Sequence, residues 1–112
     1  MAVVNQYKFF GVTSTAAETA SLLSPLISET FIIKSLHVTN KSASNTPTIT
    51  ITNNAFQVIN TQTLATAASV EILTNPMVVE GNTVLQYTTA GTTADGVVIT
   101  ISYLNIKKEV TV

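Results

Sequence analysis

The sequence predicts an all-β domain, an antiparallel β-sandwich of the jelly-roll kind with about 7–8 strands. Three observations carry this. Threonine, serine and asparagine supply about a third of the 112 residues, with β-branched threonine the most abundant. Turn signals recur roughly every 10 to 15 residues. No stretch sustains a helical period long enough to cover a parallel sheet.

Taken along the chain, Thr13 to Leu26 admits two readings. Thr15-x-x-Glu18 followed by Ala20, Leu22 and Leu23 fits a capped helix ending before Pro25, whereas the surrounding Ser and Thr favour an extended edge segment. Phe31 to Thr39 is β-rich, but its apolar positions change parity from Phe31 and Ile33 to Leu36 and Val38. A bulge at Lys34-Ser35, or a strand covered on both faces, reconciles the two. Thr48-Ile49-Thr50-Ile51-Thr52 alternates strictly, as a half-buried strand does. Val97 to Leu104 alternates as well, with Val97, Ile99, Ile101 and Tyr103 on the face expected inside. Shorter strands are expected at Phe56 to Asn60, Val70 to Leu73, Thr83 to Thr89 and Ile106 to Val112. Turns fall at Asn40 to Pro47, Asn53-Asn54, Asn75-Pro76, Glu80-Gly81-Asn82 and Gly91 to Gly96, where Gly and Asn tolerate positive φ and Pro ends a ladder. Leu64 to Ser69 reads as a loop. The length suits one domain over residues 1–112, with short N- and C-terminal arms.

Charged residues make up only 10% of the chain, arginine is absent, and the formal net charge is -1. Five scattered lysines do not form the cationic patch that phosphate recognition needs, so no nucleic-acid partner is expected. No apolar run approaches a membrane span, and a soluble protein is expected. Without cysteine there is neither a disulfide framework nor a thiolate metal site.

Candidate chemistry is sparse. His37 is the single histidine, set mid-strand with no nucleophile motif, and reads as a surface or subunit-contact residue rather than a general base. The six acids stand singly, so neither a carboxylate pair nor a calcium loop is expected. The four glycines form no phosphate cradle. No cofactor, metal or catalytic residue is expected. Asn40-Lys41-Ser42 matches a glycosylation tripeptide but reads as a turn in which Asn40 caps its own backbone. With no tryptophan, and with Tyr7, Tyr87 and Tyr103 expected in core or interface packing, a sugar platform is disfavoured.

Three segments together carry a resemblance: Phe31-Ile32-Ile33-Lys34-Ser35-Leu36-His37-Val38-Thr39-Asn40 with Thr48-Ile49-Thr50-Ile51, then Val79-Glu80-Gly81-Asn82-Thr83-Val84, then Val98-Ile99-Thr100-Ile101-Ser102-Tyr103-Leu104. Over roughly residues 7–106 the layout resembles small virion structural proteins of tailed bacteriophages, especially cyanophage-like ones. The resemblance implies a jelly-roll-like sandwich and a non-enzymatic role as capsid cement or decoration. It also implies a homo-oligomer, a trimer being favoured, and the major capsid protein as partner at the capsid surface. The alternative is a neck, tail or fibre-associated module binding a host-surface glycan or receptor. A nearly uncharged, hydroxyl-rich surface suits copies crowded on a shell, because like charges would repel. The apolar, β-prone termini Ala2, Val3, Val4 and Val110, Thr111, Val112 are candidate subunit-contact arms that add as strands to a neighbour; the alternative is pairing within their own domain.

Overall fold

A computed structural model describes residues 3–108. Its strands are β1 (Val3–Ser14), β2 (Thr19–Leu23), β3 (Glu29–Asn40), β4 (Thr48–Asn53), β5 (Phe56–Thr63), β6 (Ser69–Glu71), β7 (Met77–Val79), β8 (Leu85–Ala90) and β9 (Val97–Lys108), with no helix among the described residues. One antiparallel sheet runs β1-β9-β3-β6, with β7 also on β3, and the other runs β2-β8-β4-β5. The pairs are therefore nested: β4 with β5, β3 with β6 and β7, β2 with β8, β1 with β9. A long hairpin with β4–β5 at its tip has rolled successive pairs onto alternate sheets. That is the jelly-roll wrapping, and the sandwich expected from the sequence is the one the chain forms.

The inner faces meet in one core. Ile33, Leu36, Val38, Val97, Ile99 and Ile101 enter from the first sheet, and Ile49, Ile51, Leu85 and Tyr87 from the second. Tyr103 is buried beside Phe31, their ring centroids 4.7 Å apart.

The parity change in β3 is a bulge. Its register against β9 slips between Ile33 and Ser35, Lys34 points to solvent, and both Phe31/Ile33 and Leu36/Val38 face the core. Thr13 to Leu26 is extended rather than helical: Thr19–Leu23 pairs with β8. Glu18 does not cap a helix; its carboxylate accepts the Ser14 hydroxyl at 3.1 Å and the Tyr87 phenol at 2.8 Å. Burial of the Tyr87 ring, and then that hydrogen bond to Glu18, raise the phenol's pKa.

Two strands exceed the expectation. β1 beyond its first residues and β7 lack clean alternation, because β1 is an edge and β7 has three residues. Ile106 does not begin a new strand, since β9 continues unbroken through Asn105; residues 109–112 of the expected strand lie outside those described. Asn105 is buried and its amide donates to the Glu29 carboxylate at 3.0 Å. The Glu29 pKa is lowered mainly by the Leu26 backbone N–H and then by Asn105.

The β4–β5 turn has Asn54 at φ 49° and Ala55 at φ 71°. Two consecutive left-handed residues make a type I′ hairpin turn, which favours Asn-Gly. Ala55→Gly is therefore expected to stabilise the domain by about 1 kcal/mol, read as a higher urea midpoint at unchanged slope.

Candidate docking face

Cross-strand register arranges the outer face of the β1-β9-β3 sheet in rows, because residues opposite one another share a face. One end is polar: Thr13, Val98, Thr39 and Ser69 form one row, and Gly11, Thr100, His37 and Glu71 the next. Phe9, Ser102 and Ser35 follow. Then comes an apolar row across four strands, Tyr7, Leu104, Ile32 and Val78, and beyond it Asn5, Ile106 and Thr30.

Tyr7 is 78% exposed, Phe9 69% and Val78 50%. The Phe9 ring lies back over Gly11, where an added Cβ would stand 3.6 Å from Phe9 Cε2. Tyr7, Phe9, Leu104, Ile106, Ile32 and Val78 thus make a belt with no charged side chain among them. Four strands spaced about 4.8 Å apart and three rows deep give roughly 300 Å², within the range of patches that mark contact sites.

His37 stands in the polar half. Its Nε2 lies 3.2 Å from Glu71 Oε1, while Glu71 Oε2 accepts the Leu36 N–H at 2.7 Å and the Leu73 N–H at 3.2 Å. The carboxylate therefore holds the strand just past the bulge to β6. Removing it would release two backbone amides.

Of the candidate arms, Val3 and Val4 pair with Lys108 and Lys107 of β9, so their backbone belongs to the domain's own sheet. Ala2, Val110, Thr111 and Val112 lie outside the described residues. Tyr103 points inward as expected; of the other two tyrosines, expected in core or interface packing, Tyr87 is in the core and Tyr7 stands exposed with Phe9 on the open face. The remaining belt members escaped the sequence reading because they look like ordinary strand residues. The signal present was parity, since Leu104 and Ile106 fall opposite the buried Ile99, Ile101 and Tyr103 along one strand.

Two open clefts lie among the described residues, the first of which reaches the belt at Val78. One of about 280 Å³ is lined by Asn53, Asn54, Phe56, Val78, Glu80 and Thr83. The other, about 670 Å³, lies between the Ser24–Ser28 loop and Asn82–Val84, beside the exposed Leu26 and Ile27. Among the described residues no three His, Asp or Glu side chains gather as a metal site requires. Comparison with protein-family models and with curated proteins finds no match to this chain.

Proposed function

We propose that the chain is a non-enzymatic structural component of a bacteriophage virion, a capsid cement or decoration protein that stabilises contacts between shell subunits. The observation that carries this reading is the uncharged belt of Tyr7, Leu104, Ile32 and Val78 on an open sheet face. Burying such a face contributes about 25 cal/mol per Å² before ordering costs, and it asks for a partner that is itself apolar and uncharged. The resemblance to virion proteins supplies the shell as that partner, at the capsid surface, with the chain present as a homo-oligomer for which the resemblance favours a trimer. Ala2 and Val110 to Val112 serve in this reading as terminal arms.

Cosedimentation with capsids lacking the protein tests it. Saturable binding that changes little between low and high salt is expected, because no ion pair dominates the face. Deleting residues 109–112 should weaken attachment while leaving the isolated domain folded. Capsids that pellet without the protein would sink the reading.

A glycan- or receptor-binding module is the second reading. It is favoured by Tyr7 and Phe9 standing exposed together on one face, an arrangement on which a sugar ring can stack. Retention on a glycan array, lost in Tyr7→Ala, would select it over the first.

A further inference from the structure

A sandwich of two open sheets has four edges, and three of them are closed to strand addition here. β2 has five residues and slips register between Ser21 and Leu23. β5 slips twice against β4 and carries Thr61 at φ 47°, an unusual conformation for a β-branched residue. The third edge is split between β6 and β7, with Pro76 in the gap. β1 differs on every count. Its 12 residues run in unbroken register along β9 from Val3↔Lys108 to Ser14↔Val97. It contains no proline and one charge, Lys8, and among the described residues no strand lies on its other side. Edges that stay single in nature are shortened, bulged or charged; this one is neither shortened nor bulged, and Lys8 is its single charge.

We infer that, in place of the trimer the resemblance favours, β1 is the seam of a two-fold dimer, pairing antiparallel with β1 of a second copy so that the two sheets become one. Both copies keep their outer faces on the same side, so paired residues share parity and the axis passes through one residue and its twin. An axis at Lys8 would set two ammonium groups against each other. An axis at Phe9 instead places Phe9 against its twin, Tyr7 against Gly11 and Lys8 against Phe10, and pairs residues 4–14 of each copy. The apolar row Val78–Ile32–Leu104–Tyr7 then leads into the row of the second copy that begins at Gly11 and continues through Thr100.

At about 3.3 Å per residue the ladder is roughly 36 Å long and buries on the order of 500 Å² per copy, about 1,000 Å² in total, which reaches the lower bound of a specific interface. The occupant is a second copy because the two-fold pairing satisfies both free edges at once and leaves neither open. A charged partner would find nothing along this seam to pair with except Lys8.

Light scattering on the eluting protein, with Phe9→Glu and Phe9→Lys as variants, tests the seam. The parent chain is expected at twice 11.9 kDa. Each variant is expected at half the parent's mass with an unchanged far-ultraviolet spectrum, since position 9 is exposed and only the axis suffers. An equimolar mixture of the two should recover the doubled mass, because position 9 faces only its twin. A parent at the monomer mass, a three-fold mass, or single variants that remain doubled would each overturn the seam. Attachment to capsids is read separately and can succeed or fail whichever mass is found.

Discussion

Replacing Asn40 with alanine is expected to remove about 3 to 5 kcal/mol of stability, a large share of what a domain of this size possesses. Asn40 is 1% exposed. Its amide nitrogen donates to the carbonyls of Asn45 at 2.8 Å, Ala65 at 3.1 Å and Leu64 at 3.3 Å, and its Oδ1 accepts the Ser42 N–H at 3.0 Å. One side chain thus ties the β3–β4 loop to the loop after β5. Alanine would remove the partner of three carbonyls and one amide, of which the Leu64 carbonyl and the Ser42 N–H lie in buried surroundings. Urea unfolding should show the loss, and thermal scans should show a midpoint lower by roughly 15 °C or more. Ser42→Ala makes the contrast. The Ser42 hydroxyl accepts only the Ser44 and Asn45 N–H groups, so about 1 to 2 kcal/mol is expected. Equal losses for the two variants would mean that the reach to Leu64 and Ala65 contributes nothing.

Gly81→Ala is the second large effect. A Cβ at this position would stand 2.7 Å from the carbonyl oxygens of Leu26 and Ile27 and 2.8 Å from that of Glu29. All three are backbone atoms, so none can swing aside. The same loop is fastened by the Asn82 N–H donating to Pro25 at 3.0 Å, while the Glu29 N–H donates to Leu26 at 2.8 Å and the Leu26 N–H to Glu29 Oε1 at 2.9 Å. Relief requires the two loops to part, and a cost of about 2 to 3 kcal/mol follows. Hydrogen exchange should quicken first at Asn82 and Glu29, because their acceptors move with the clash. Unchanged exchange at both amides would show that the loops absorb the methyl without separating.

Asn40 also shows where sequence reading stops. The Asx turn from Asn40 to Ser42 is legible because it spans two residues and needs only local geometry. The reach to Leu64 and Ala65 depends on how the sandwich rolls, which no local pattern encodes. The bulge at Lys34-Ser35 was legible for the opposite reason: two buried sets of opposite parity in one strand admit few solutions. Asn105 misled, since a polar residue in a strand reads as an end until its partner Glu29 is known. The belt was hidden because Tyr7 and Leu104 meet only through pairing across nearly the whole chain. Composition spoke to charge, and so to the kind of partner, but it could not say which face was left open.

That same pairing bears on how the domain is made. β1 leaves the ribosome before every other described strand, and β9, its only partner among the described residues, leaves after all of them. Until then the strand carrying Tyr7, Phe9 and Phe10 has both of its hydrogen-bonding edges free. Contacts of such long sequence separation place the chain among slow folders, since loop closure must come before the pairing that rewards it. During that interval β1 is the segment most open to premature pairing with another nascent copy, and the sparing use of charge that suits the finished surface leaves it little protection.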